Sequence, residues 1–389
     1  MKRKIIIVSG TRADYGLLKK LTLLLQKDEQ FETYLAATGT HLSEKHGMTI
    51  NLIKQDNIKN ILEVDIKISG DQPQDISRSL AEGIRGFSEL YTKIKPEFIL
   101  VLGDRYELWS ACMPATIFNI PIVHIHGGES TQGVIDEAVR HSITKMAHLH
   151  FCSHPAYKKR IIQMGEQEDH VHTVGAVGLD RIKEMDFLSK DELAKNLGIS
   201  FGKKNILCTF HPVTIDANES AHEVIALTGA IEKILEDGDV KVFITFPNSD
   251  TYSSVIQKKW DELINKFPNN VHGFVNLGDL RYLSLMKEVD LVLGNSSSGI
   301  LEAPFLKKAV VNVGIRQQGR LSSHHVIDCS GDKSNIIAAV SKAISKDFQN
   351  GLTATDSIYG EGNSASMIYE LIKQTEFKNI NLKIFNDRL

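Results

Sequence analysis

Short runs of aliphatic and β-branched residues alternate with amphipathic stretches along the whole chain, and nothing else in it limits the possible folds as strongly. "KIIIVSG" (4–10), "TYLAATG" (33–39), "FILVLGD" (98–104), "IPIVHIHGG" (120–128) and "HLHFCS" (148–153) read as buried strands. Between them, 15–28, 75–94 and 106–118 carry apolar residues at helical spacing. This βαβ rhythm predicts a doubly wound parallel sheet, because parallel strands need crossover helices that cover both faces. A second series follows, with strands expected at "NILCTFHP" (205–212), "KVFITFPN" (241–248), "NVHGFVNL" (270–277), "DLVLGNSS" (290–297) and "AVVNVG" (309–314). Its helices are expected over 219–237, 251–267 and 279–287. Between the series, "VGAVGLDRIKEMDFLSKDELAKNLGI" turns polar and reads as the link. The expected architecture is α/β: two Rossmann-like doubly wound domains, 1–178 and 179–362, with a central cleft. A C-terminal helix and tail, 363–389, is expected to pack back on the first domain.

With 389 residues the chain can bury two full cores, and 42% apolar with 24% charged residues is a globular composition. A formal net charge of -3 and the lack of any basic stripe argue against nucleic acid as a partner. Cys112, Cys152, Cys208 and Cys329 lie far apart without a CxxC pair, as expected of buried thiols in a reducing compartment. The start "MKRKIIIVSG" imitates a signal peptide, but its apolar run is short and breaks at Ser9-Gly10. No segment has the length of a membrane span, so a cytoplasmic protein is expected.

In open parallel sheets ligands bind beyond the carboxyl ends of the strands, and the unusual polar residues of this sequence fall there. "SGTRADYG" (9–16) follows the first strand and opens the first helix, where free backbone N–H groups with Arg12 suit an anion and Asp14 adds a carboxylate. It matches neither the dinucleotide nor the P-loop fingerprint, and an ordinary turn with a surface arginine also explains it. "LGDRYE" (102–107) ends another strand in Asp104–Arg105, a base beside a cation or a salt-bridged turn. In "VHIHGGE" a continuing pleat puts His124 and His126 on one strand face, with Glu129 and Asp136 at the start of the next helix. A metal there needs a third ligand. His148, His150, His170 and His172 are candidates that spacing does not separate, and a metal-free acid/base cluster is the preferred reading.

In the second half, "FHPVT" (210–214) leaves His211 just past a strand, either catalytic or structural. "LGNSSSGILEAPFLKKAVVNVG" (293–314) is the most specific stretch: a strand ending at Gly294, then serines, then a helix expected to begin near Gly299–Ile300. Ser296 and Ser297 with free N–H groups can cradle a diphosphate, Glu302 can accept from ribose hydroxyls, and a serine N-cap is the bland alternative. Arg316 and Arg320 in "GIRQQGR" add two cations.

Taken together and in order, "GTRADYG", "LGDRYE", "HIHGGE", "DEAVRHSITKMAHLH", "FHPVT", "FPNSD", "GNSSSGILEAP" and "GIRQQGR" resemble the hydrolysing UDP-N-acetylglucosamine 2-epimerases, which start bacterial sialic acid and related nonulosonate synthesis. The resemblance runs from residue 4 to about residue 320. It implies the glycosyltransferase-B architecture, a UDP-sugar substrate, no cofactor, no metal, and places Asn248 and the backbone near Leu277 against the nucleotide. Nonhydrolysing relatives usually carry Pro-Glu where this chain has Ala13-Asp14, which favours the hydrolysing branch. Many hydrolysing members read His-x-Glu-Gly-Gly-Glu, whereas this chain has His126 at the first glutamate, as other sialate-type enzymes do.

The implied reaction takes UDP-N-acetylglucosamine and water to N-acetylmannosamine and UDP. Departure of UDP acidifies C2–H, giving anti elimination to 2-acetamidoglucal and then hydration with C2 inverted. The leaving diphosphate needs donors and cations, for which Ser296, Ser297, Arg316, Arg12, Arg105 and His211 qualify. The cationic ring needs carboxylates, for which Asp104, Glu129 and Asp136 qualify, and proton transfer at C2 falls to these or His126. UDP-2,4-diacetamido-2,4,6-trideoxyglucose, the legionaminic acid precursor, is an equally compatible substrate. A glycosyltransferase of the same fold, a nucleotide-sugar sensor and a metal hydrolase are the competing classes. A homodimer or higher homo-oligomer is the base-rate and family expectation.

Overall fold

Strand burial is nearly continuous in both halves, as all-parallel sheets covered on two faces require. The structure is a computed structural model and describes residues 2–70, 72–131, 135–211, 217–236, 238–246, 253–275, 277–352 and 357–387. The chain divides into two units, one made of Met1–Arg181 with Tyr359–Leu389, the other of Ile182–Ile358.

The first unit holds β1 (Arg3–Ser9), β2 (Phe31–Thr38), β3 (Ile61–Val64), β4 (Phe98–Leu102), β5 (Ile122–Ile125), β6 (Leu149–Cys152) and β7 (Val171–Thr173). They form one sheet in the order β3-β2-β1-β4-β5-β6-β7, every pair parallel. One face is covered by the helices Arg12–Lys27 and Ser364–Gln374, which bring Leu18, Leu21, Leu25, Ile368 and Ile372 onto Ile5, Ile7 and Leu35. The other face takes the helices Pro73–Ile94, Tyr106–Ile117 and Ile135–Met146, with Phe87, Leu108, Val139 and Ile143 against Ile6, Val8 and Val101. Each such fully buried aliphatic side chain is worth roughly 1.5–3 kcal/mol.

The second unit repeats the plan with β8 (Lys204–Thr209), β9 (Val240–Thr245), β10 (Val271–Phe274), β11 (Leu291–Gly294), β12 (Ala309–Val313) and β13 (Val326–Cys329), in the order β10-β9-β8-β11-β12-β13. Its core gathers Ile206, Val242, Leu293 and Val311 under Leu227, Ile231, Trp260 and Val340. In both units the first strand therefore has the second on one side and the fourth on the other. The strand order reverses between β1 and β4, and again between β8 and β11. Helices leave to opposite faces at such a point and open a crevice beyond the strand ends.

The chain returns to the first unit after Ile358. Asp180 accepts from the backbone N–H groups of Ser364 (2.9 Å) and Ala365 (2.8 Å), capping the Ser364–Gln374 helix. Phe377 stacks on Phe98 with centroids 4.1 Å apart, and Arg3 donates to the Thr375 carbonyl at 3.0 Å. Among the described residues no helix is long and apolar enough to cross a membrane.

Candidate active site

At the carboxyl end of β1, Thr11 caps the helix Arg12–Lys27 by accepting from the Asp14 N–H at 3.2 Å. Arg12 is exposed at the first helical position. Asp14 points the other way, with Oδ2 buried and without a hydrogen-bond partner among the described residues. Burial pushes its carboxyl up to about 6, against the opposing pull of Thr11 and Arg105, with Glu107 and Asp104 adding to the rise.

Next to it β4 ends in Gly103, Asp104 and Arg105. Arg105 donates to Glu107 Oε1 at 3.1 Å, and Glu107 is fully buried. Asp104 Oδ2 accepts two bonds from Arg140, one from Nε at 2.9 Å and one from Nη2. Arg140 is only 2% exposed and spends all five of its donors: Nη1 also reaches the Glu129 carbonyl (3.1 Å) and Glu137 Oε2 (2.7 Å), and Nη2 reaches Thr131 Oγ1 (3.1 Å). Glu137 is itself fixed by the Thr131 N–H (2.7 Å) and Ser130 hydroxyl (2.8 Å). A buried guanidinium so fully matched pins the loops after β4 and β5 to each other and to its own helix.

Asp136 lies in the first turn of the Ile135–Met146 helix. Burial raises its carboxyl, the negative Asp104 raises it further, and Arg105 and Arg140 oppose. Asp14, Asp104, Arg105 and Asp136 thus share one electrostatic environment at the β1/β4 switch point.

The histidine pair departs from the expected geometry. β5 stops at Ile125, and His126 takes φ +64°, so the pleat does not continue and the two rings do not share a face. His124 is fully buried, its Nε2 2.8 Å from the Gly103 carbonyl and its Nδ1 3.3 Å from Thr144 Oγ1, and burial lowers its pKa to about 3. It braces β5 against the β4 loop as a neutral ring. His126 instead meets Glu129, Nδ1 to Oε1 at 3.1 Å, and Ser153 donates to that same oxygen at 3.0 Å. Of the other histidines considered as metal ligands, His150 pairs with His124 across β5 and β6 but faces Glu166, and His148 Nδ1 accepts from the Ile122 N–H. Among the described residues no three His, Cys, Asp or Glu side chains converge as metal ligands.

The second switch point has different chemistry. A Cβ on Gly294 would lie 2.0 Å from the Thr209 carbonyl oxygen, so only glycine lets β11 end this close to β8. Asn295, fully buried, then accepts from the His211 N–H at 2.7 Å and donates to the His211 carbonyl at 2.8 Å. Its own carbonyl accepts from Arg316 Nη1 and Gln317 Nε2, both at 2.9 Å. One asparagine therefore ties the loops after β8, β11 and β12 together.

The helix expected near Gly299–Ile300 starts earlier, at Ser297, because Ser296 is its N-cap and accepts from the Ser298 N–H at 3.4 Å. The N-cap reading is thus realised by Ser296. Ser297 opens the helix, and Ser298 lies 2.6 Å from the Tyr282 hydroxyl. Glu302 is partly buried in the same helix, and Arg320 lies partly buried beyond β12. Leu277 is the buried N-cap of the helix Gly278–Glu288, its carbonyl accepting from Arg281 at 2.7 Å. Asn248 lies outside the described residues.

The structure thus joins Asp14, Asp104, Arg105, Glu129 and Asp136 in the first unit and His211, Ser296 and Arg316 with Asn295 in the second. Sequence reasoning passed over Arg140, Glu137 and Asn295. A signal for Arg140 existed: it falls in the apolar stripe Val139, Ile143, Thr144 of its helix, where a solvated arginine would not be placed.

The sequence profile of the UDP-N-acetylglucosamine 2-epimerase family matches residues 24–373. A Campylobacter jejuni protein named GDP/UDP-N,N'-diacetylbacillosamine 2-epimerase (hydrolyzing) is 37% identical over 90% of this chain and 89% of its own. The Escherichia coli polysialic acid biosynthesis protein P7 is 34% identical over 99% and 97%, and a Legionella pneumophila UDP-N,N'-diacetylbacillosamine 2-epimerase (hydrolyzing) is 34% identical over 96% of each chain. In fold, the Neisseria meningitidis UDP-GlcNAc 2-epimerase crystal structure superposes with TM-score 0.80 at 20% identity, covering 96% of this chain and all of that one. The two parallel sheets are those of the glycosyltransferase-B-like epimerases. The chain belongs to the UDP-N-acetylglucosamine 2-epimerase family, as a hydrolysing 2-epimerase of a UDP-sugar.

Proposed function

We propose that the enzyme eliminates UDP from a UDP-linked 2-acetamido sugar and hydrates the resulting glucal with C2 inverted. The C1–O bond to UDP breaks as a base takes the C2 proton; water then returns OH to C1 and a proton to the opposite face of C2. The observation that carries this reading is the first-unit carboxylate cluster, with Asp104 clamped by buried Arg140 beside Asp136, whose pKa is raised by burial. Asp104 and Glu129 face the positive charge that develops on the ring, and Asp136, its carboxyl raised by burial, exchanges the proton. Arg12, Asp14 and Arg105 bind the sugar side. His211, Ser296, Ser297, Arg316 and Arg320 serve the diphosphate, and Glu302, Leu277 and Asn248 the nucleoside.

The substrate we favour is UDP-N,N'-diacetylbacillosamine. Two of the relatives described above carry that sugar in their names, one of them at 37% identity. UDP-N-acetylglucosamine is the second reading, favoured by the family profile and by the 34% identity to protein P7 over nearly the whole chain. Both sugars are offered separately in D₂O, without acceptor, and products are followed by NMR. The expected result is free UDP and the 2-epimeric sugar with deuterium at C2, faster from the diacetylated substrate. Release of UDP with the C2 proton retained would sink the elimination, and faster turnover of UDP-N-acetylglucosamine would reverse the substrate order.

A further inference from the structure

His126 follows directly on β5, and its surroundings define what it can do there. Its φ of +64° lies in the left-handed region, held by its N–H donating to the Phe151 carbonyl at 2.8 Å. This turn swings the ring off the strand face and gives both ring nitrogens a partner. The backbone N–H of Val177 lies 3.4 Å from Nε2, and a backbone N–H can only donate. Nε2 therefore presents its lone pair, which leaves the proton of the neutral imidazole on Nδ1. Nδ1 is the nitrogen 3.1 Å from Glu129 Oε1, where an ionised carboxylate can only accept. Protonating Nε2 would set two N–H groups against each other. Charged or titratable groups near the pair include Arg140, which donates to the Glu129 carbonyl, Arg160, which donates to the Gly128 carbonyl, and the neutral His124. Ser153 holds the same Glu129 oxygen from a second side at 3.0 Å.

We infer that His126 is a positioning residue: as the neutral Nδ1–H tautomer it fixes Glu129 as a carboxylate at the site. The assignment rests on the hydrolysing-epimerase reading proposed above.

Two measurements test it. Long-range ¹⁵N–¹H spectra of histidine-labelled enzyme, with His126 assigned by its loss in the His126→Asn variant, are expected to show protonated Nδ1 and bare Nε2 at neutral pH. The opposite tautomer or an imidazolium would overturn the assignment. In kinetics, His126→Asn keeps a donor near the Nδ1 position on a residue that tolerates left-handed backbone, so kcat stays within about fivefold of wild type. His126→Leu removes a hydrogen bond to a charged group and loses about 10–100-fold. Glu129→Gln loses about 10²–10⁴-fold, and adding His126→Leu to it costs little more. A His126→Asn variant as damaged as His126→Leu, multiplying losses in the double variant, or a limb of the kcat–pH profile abolished by His126→Asn would make His126 the proton carrier instead. Thermal melting checks that each variant is folded. If wild type turned over no UDP-sugar the functional reading would fall, while the tautomer spectrum would still decide His126.

Discussion

In the first unit, the loops leaving β1, β4 and β5 crowd Asp14, Asp104, Glu107 and Glu129 around Arg105 and Arg140, with Asp136 on the following helix. In the second, the loops leaving β8 and β11 at the same topological position carry an asparagine, serines and a histidine. One strand order has been fitted with clustered carboxylates in one unit and with amide, hydroxyl, imidazole and guanidinium groups in the other. Topology supplies the crevice; the loop side chains decide whether it moves protons or holds an anion.

Substitutions should divide along that line. Asp104→Asn is expected to lower kcat by about 10²–10⁴-fold with little change in UDP affinity, read from steady-state kinetics and UDP titration. An effect confined to KM would break the contrast. Asn295→Ala, which cuts both bonds to the His211 backbone, should raise KM and the Kd for UDP about tenfold and cost about 1–3 kcal/mol in urea unfolding. A loss confined to kcat would place the second unit in the chemistry.

A smaller effect concerns pH. The Asp14 carboxyl is raised to about 6 from 3.8, so the native state binds its proton more tightly than the unfolded chain. Stability should therefore fall as pH rises from about 4 to about 6 and level off above. Asp14→Asn should flatten that slope and gain on the order of 1–2 kcal/mol at pH 7, seen as a Tm difference absent at pH 4. Smallest of all, Ser296→Ala removes a helix cap worth about 1 kcal/mol and should weaken UDP binding only severalfold by calorimetry.

The central strands were legible because burial on both faces makes them continuous apolar runs. Of the edge strands only β10 was: β3 (Ile61–Val64) and β13 (Val326–Cys329) are half exposed, and β7 (Val171–Thr173) is very short, so their patterns resemble loops. Strand-end carboxylates could be read from position, since Asp104 follows an apolar run and Asp14 opens the helix after one. The groups that organise them could not. Glu137 and Arg140, three apart on a helix, look like an ordinary surface pair until the fold buries the arginine at the Asp104 loop. Asn295 was hidden beside the serines, since an amide that bonds backbone across a sheet leaves no spacing pattern. His126 escaped because alternation assumes φ stays negative, and there it does not.

The return of the chain to its first unit has a consequence for how the protein is made. The Ser364–Gln374 helix and Phe377 complete the core over β1 and β4, and Arg3 clasps the Thr375 carbonyl. As the ribosome delivers the chain from its amino end, everything through Arg181 emerges early yet lacks part of one wall of its core until the residues after Tyr359 appear. The segment Ile182–Ile358 contains its whole sheet and can close first. The amino-terminal half is therefore the last to be sealed, and a ribosome that stops short of Tyr359 leaves apolar β1 and β4 surface uncovered for chaperones or aggregation.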